Sequence, residues 1–167
     1  MMKQLMILCM VFVLTSFLVA AAGSEEKRNP AFETLKALEG VWIGSWDGTG
    51  KQVNATFRLI SGGTSLMQTV GDFHGEMVTT FYPDGNHLMA THYCNANNQP
   101  RLRSDEAATG KKIAFSFHDA TNMAGPDEGH IEKLVLTFED SNHIRQDWSW
   151  RAGNETRTDT ISLKRSK

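Results

Sequence analysis

His92 is the residue whose type and setting could do the most chemistry in this chain. Strand alternation around it puts Leu88, Ala90, His92 and Cys94 on one face and His87, Met89, Thr91 and Tyr93 on the other, and the first set reads as the interior. An imidazole turned into an apolar interior can ligate a haem iron, transfer a proton, or sit in the core on a hydrogen bond to a neighbour. The run Asn98-Gln99-Pro100-Arg101-Leu102-Arg103 follows at once and supplies amide and guanidinium donors. Two readings of it stand side by side. Arg101 or Arg103, with Gln99 nearby, faces the anionic head group of a ligand; or the run is a turn whose arginines pair with Asp105, Glu106 or solvent.

Trp148-Ser149-Trp150 places two indoles on one strand face. With Phe115, Phe117, Leu134, Leu136 and Phe138 they either fill a core or line an apolar cavity with a few directed polar groups. Arg145 and Asp147 share the opposite face with His143, as a solvent-facing charged stripe would. The six histidines, His74, His87, His92, His118, His130 and His143, lack the close paired spacings of zinc sites, and surface or hairpin positions account for most of them. No Gly-x-Ser-x-Gly elbow, His-Glu-x-x-His, Cys-x-x-Cys or phosphate-binding loop is present, and Gly48-Thr49-Gly50-Lys51 has the wrong spacing for the last. No catalytic residue and no metal ligand is assigned on this basis.

The elements that must position these side chains follow from periodicity. Phe32, Leu35 and Leu38 recur at helical spacing between Ala31 and Glu39, ahead of Gly40. Beyond Gly40 the period becomes two: Val53, Ala55, Phe57 and Leu59 alternate with Asn54, Thr56 and Arg58. Tyr82-Pro83-Asp84-Gly85-Asn86 is a turn between strands over about 76–82 and 87–93. Thr109-Gly110-Lys111, Asp140-Ser141-Asn142 and Ala152-Gly153-Asn154 punctuate further strands over 113–118, 131–139, 143–151 and 155–164. Asp119 to Gly129 lacks periodicity and reads as the longest loop, overhanging one barrel mouth. Hairpin spacing leaves no room for crossover helices, so the expected fold is all-β: a single antiparallel up-and-down barrel of eight to ten strands with a short N-terminal helix.

Residues 1–23 carry one cation, Lys3, an apolar run from Leu5 to Ala20 and the small-residue end Ala20-Ala21-Ala22-Gly23, the pattern of a cleaved signal peptide. Residues 24–30 read as a flexible lead and 31–167 as the barrel domain. Export, to a periplasm or the exterior, is the expectation, with no stable membrane anchor after cleavage. Loss of Lys3 takes the formal charge from −2 to −3, which offers nucleic acid no attraction. Cleavage also discards Cys9 and leaves Cys94 alone, without an intramolecular disulfide and expected to be buried and inert. Asn54-Ala55-Thr56 and Asn154-Glu155-Thr156 fit the glycosylation acceptor pattern.

Leu35 to Leu38 followed by Gly40-Val41-Trp42 resembles the opening of lipocalin-like, calycin-type barrels. In those a short helix closes one end and the tryptophan packs at the base, often under a late cation, for which Arg157, Lys164 and Arg165 are the possible equivalents. Gly44 and Trp46 extend the likeness to the Gly-x-Trp-x-Gly opening of ten-stranded nitrobindin-type barrels, without their glycine-rich continuation. Thr91-His92-Tyr93-Cys94 with Asn98-Gln99-Pro100-Arg101 resembles a block of uncharacterised secreted bacterial proteins. The resemblance implies the barrel fold, and with the expected export signal and that architecture the first reading is a non-enzymatic exported barrel holding a small apolar or amphipathic molecule and no cofactor. The expected ligand-binding residues are His92, Gln99, Arg101, Arg103, Phe115, Phe117, Trp148 and Trp150. The alternatives are a haem-binding nitrobindin-like barrel and a barrel enzyme using His92 near Gln99 and Arg101.

Overall fold

The computed structural model describes residues 29–72, 75–105 and 110–167. The expected signal peptide, most of the expected lead, Cys9, His74, Glu106 and Thr109 lie outside the described residues. Asn29 and Pro30, placed by sequence in the lead, instead start helix α1 (Pro30–Lys36). Asn29 Oδ1 accepts from the amides of Ala31 and Phe32 at 3.0 and 3.1 Å, a side-chain cap for donors that the first helical turn leaves unsatisfied. Its Nδ2 donates to the carbonyls of Gly85 and His87 at 3.2 and 2.9 Å, so the same residue pins the helix to a hairpin.

Ten strands follow: β1 (Gly40–Trp46), β2 (Gln52–Ile60), β3 (Ser65–Asp72), β4 (Gly75–Asp84), β5 (His87–Tyr93), β6 (Gln99–Ser104), β7 (Lys112–Thr121), β8 (His130–Phe138), β9 (His143–Ala152) and β10 (Glu155–Arg165). Each pairs antiparallel with its sequence neighbour, and β10 returns to β1 to close the barrel. Closure leaves no unpaired edge among the described strands, an edge that an open all-β sheet would otherwise have to protect.

Two segments differ from the sequence reading. Gln99–Ser104 is a strand and not a turn. Pro100 is tolerated beside the start of β6, and a register shift between Arg101 and Leu102 absorbs the irregularity. Asp119 to Thr121 continue β7, which shortens the long loop to 122–129. That loop lies against its neighbours at one barrel end: Asn98 Nδ2 donates to Gly129 O at 2.9 Å, and the Gly153 amide to Asp127 O at 3.0 Å.

The helix end of the barrel is solid. Phe32 and Leu35 of α1, with Leu38 beyond it, meet Trp42, Phe57, Leu66, Phe81, Leu88, Leu102, Phe115, Leu134, Leu136 and Ile144, all buried. Trp42 is fully buried, its indole N–H donating to Leu38 O at 2.8 Å and its ring meeting Phe57 edge-on at 6.1 Å. Among the three late cations, Arg165 covers it, 4.3 Å from the ring centroid. The same guanidinium donates to the carbonyls of Glu39 and Ala37 at 2.7 and 2.6 Å, tying the helix exit to the last strand. Gly44 is required by closure, because a Cβ there would run into the Ser162 carbonyl of β10. The Gly-x-Trp-x-Gly element is therefore the base plug and the seam of the barrel.

Candidate functional site

Above the plug lies one polar layer. Gln68 of β3 donates from Nε2 to Oε1 of Gln146 on β9 at 2.9 Å, and the Trp148 indole donates to that same oxygen at 3.3 Å. Both glutamines are fully buried, and Gln68 Oε1 and Gln146 Nε2 have no hydrogen-bond partner. Cross-strand register continues the layer along one wall: Gln68 pairs with Thr79, and Thr79 with His92.

Beyond this layer the barrel is hollow. A cavity of about 590 Å³ opens at the end opposite α1. Its buried lining is Val70, Thr79, His92, Ile131, Trp148 and Ile161; Trp46, Met77, Cys94, Ala96 and Trp150 line it half-buried. The charged lining residues, Asp47, Lys51, Arg157 and Asp159, are all exposed and stand at the mouth. Arg157 donates to Asp159 at 3.3 Å and lies 5.6 Å from the Trp150 ring centroid. Gly129 sits against Trp150 so closely that any Cβ there would collide with the indole, so the loop backbone fixes that ring.

His92 is 4% exposed. Its Nδ1 is 2.9 Å from the Thr79 hydroxyl and its ring centroid 5.0 Å from that of Trp148. Nε2 has no hydrogen-bond partner among the described residues. Burial lowers the imidazole pKa from 6.5 to about 4, so the ring is neutral near pH 7. Its partner is a hydroxyl and not a carboxylate, so the arrangement lacks the orienting acid of a general-base pair. Cys94, expected to be buried and inert, is half-buried on the cavity wall, and burial pushes its thiol pKa up, which keeps it protonated near neutral pH.

Of the residues singled out from sequence, His92, Trp148 and Trp150 come together here. Arg101 and Arg103 do not. They alternate outward on β6 while Pro100, Leu102 and Ser104 face in. Arg101 makes a two-point ion pair with Asp119, its cross-strand partner on β7, one bond of which is 2.6 Å; that hydrogen bond holds the Asp119 carboxyl below the usual range. Arg103 reaches Asp84 at 3.4 Å. Gln99 accepts from Thr121 on the same outer wall at 2.7 Å. Phe115 is sealed in the solid half against Phe81, 5.7 Å away, and Phe117 packs on His130 at 4.5 Å. The charged stripe of β9 is outward as expected, Arg145 pairing with Asp147 at 2.8 Å.

His130 is an exception to the surface and hairpin positions expected of most of the histidines, being buried between Glu128 O at 2.7 Å and Glu132 Oε2 at 3.1 Å. Sequence reasoning also missed Thr79, Val70, Met77, Trp46, Ile131 and Ile161. Trp46, Val70 and Met77 lie near the mouth ends of their strands and, with Thr79 and Ile161, share the inward parity of their neighbours, a signal readable only after the mouth end is known; Ile131 stands beside a register shift in β8 that breaks that parity.

The chain matches no family model and no curated protein. It is similar in fold to solved structures. Rv2717c from M. tuberculosis superposes with a TM-score of 0.57 at 15% identity, over 83% of this chain and 98% of that one. A protein of unknown function from the DUF3598 family of Nostoc punctiforme gives 0.53 at 12% identity, over 79% of this chain and 48% of that one. At these identities the likeness shows a shared barrel.

Proposed function

We propose that this is an exported, non-enzymatic barrel that holds one small apolar or amphipathic molecule in the cavity above the Gln68–Gln146 layer. The observation that carries the reading is the division of the barrel interior: one half is packed solid around Trp42, and the other encloses about 590 Å³ walled by three of the chain's four tryptophans. A fold needing only stability would gain by filling that half, since each buried methylene is worth about 0.8 kcal/mol. Small-molecule sites are concave and mostly apolar with a few directed polar groups, here Thr79 and His92. The anchors expected at Arg101 and Arg103 drop out of the ligand set because they stand on the outer wall.

Native mass spectrometry of the chain purified from its native host tests this. One small-molecule adduct per chain, retained in Arg101→Ala and Arg103→Ala, is the expected result; an adduct lost in those two variants places the ligand outside the cavity.

Haem held through His92 is the second reading. His92 lines the cavity with a neutral ring, as an axial ligand must have, and Lys51 and Arg157 at the mouth suit acidic side groups. Trp148 against the ring opposes it, since that indole would have to swing aside. A Soret band on adding haemin, absent in His92→Ala, would favour haem over the first reading.

A further inference from the structure

The distribution of charge along the cavity separates classes of ligand. Every charged residue of the lining is exposed at the mouth, and the buried lining is uncharged: Val70, Ile131 and Ile161 are aliphatic, Trp148 is aromatic, and Thr79 and His92 supply hydroxyl and imidazole. Beneath them the Gln68–Gln146 pair is again polar without charge. An anion driven to this floor would give up its hydration and meet no cation, a cost far above the loss of one neutral hydrogen bond. The arginines that could have met an acid, Arg101 and Arg103, are on the far side of the wall. A neutral hydroxyl, carbonyl or amide meets the opposite situation, because the lining residues Thr79 and His92 offer a hydroxyl and a neutral imidazole whose one hydrogen bond among the described residues is the one they share.

The walls above the floor are aromatic. Trp46, Trp148 and Trp150 line the same cavity, with Gly129 fixing Trp150 from behind. Indole faces favour offset or edge contact with another ring at centroid separations of about 4.5–7 Å, with about 0.5–1.5 kcal/mol beyond area burial for each pair.

From this placement, and resting on the ligand-binding reading above, we infer that the ligand is a planar aromatic compound bearing one uncharged hydrogen-bonding group, inserted with that group toward His92 and Thr79. Fatty acids and other carboxylates entering head-first are excluded by the same geometry. Any charged substituent belongs at the opposite end of the molecule, level with Lys51 and Arg157.

Three probes of one ring system separate the parts of this inference: 1-naphthol, naphthalene and 1-naphthoate, titrated at pH 7 against tryptophan fluorescence. 1-Naphthol is expected to bind about tenfold tighter than either of the others, the worth of one well-placed neutral hydrogen bond. Its advantage over naphthalene is expected to vanish in His92→Leu and to shrink in Thr79→Val, which keeps side-chain size and preserves the test if the first variant folds poorly. Equal binding of 1-naphthol and naphthalene overturns recognition of a polar group at the floor. Binding of 1-naphthoate as tight as 1-naphthol overturns the exclusion of anions. If none of the three binds while the purified protein carries some other adduct, the aromatic class falls and the ligand-binding reading stands; with no adduct either, both fall.

Discussion

Burial of His92 ties the stability of the barrel to pH. The imidazole takes a proton near pH 6.5 in the unfolded chain and only near 4 in the folded one. As pH falls below 6.5 the unfolded state gains a proton that the folded state refuses, so stability drops down to about pH 4 and this contribution then stops changing. The gap corresponds to about 3 kcal/mol. Urea denaturation from pH 7 to pH 4 checks it by difference: the wild type is expected to lose more stability across this window than His92→Gln, and parallel curves would show that the ring is not held neutral by the fold. That His92 faces inward was legible from alternation alone. Its partner was not, because Thr79 is thirteen residues away and becomes a neighbour only through the register of β4 and β5.

At the scale of elements, the seam between β1 and β10 carries the closure, and two residues control it. Gly44→Ala forces a Cβ into the Ser162 carbonyl, a backbone atom that cannot move without opening the ladder, and is expected to cost more than about 2 kcal/mol in urea denaturation. Arg165→Lys keeps the charge over Trp42 but loses the fork that reaches both Ala37 O and Glu39 O, so a loss of about 1–2 kcal/mol is expected. Wild-type stability in either variant would mean that the seam is not where closure is held. Helix, strands and hairpins were readable here because their periods and turn residues are local: β5 runs from His87 to Tyr93 as alternation marked it. β6 was obscured by Pro100, whose usual turn preference is overridden by pairing on both sides, with β5 and β7. Arg101 and Arg103 follow that strand outward, so the element decides that they stand apart from the cavity that His92 lines.

The whole molecule is layered along the barrel axis: helix and Trp42 plug, glutamine layer, cavity, charged mouth. The glutamine layer marks the boundary, and its two unpartnered atoms give it a distinctive energetic signature. Replacing one glutamine by leucine strips a buried partner and is expected to cost about 1–3 kcal/mol, whereas replacing both removes the glutamine groups together, leaving only the Trp148 indole without its acceptor, and is expected to cost less than the sum. A double-mutant cycle on Gln68→Leu and Gln146→Leu measures this, and additive losses would contradict a coupled pair. This layering escaped sequence reasoning because a half-filled barrel and a fully filled one have the same alternation; only the sizes of side chains converging from ten strands decide between them.

The central claim, that the open half of the barrel is where a small molecule resides, is tested most directly by filling it. Met77 lines the cavity half-buried, and Met77→Trp adds an indole to that space without touching the plug or the glutamine layer. Native mass spectrometry of the wild type and this variant, both purified from the native host and both shown folded by circular dichroism, is the measurement. The account predicts one adduct per chain in the wild type and its loss in Met77→Trp; an adduct carried equally by both proteins, or by neither, would contradict it.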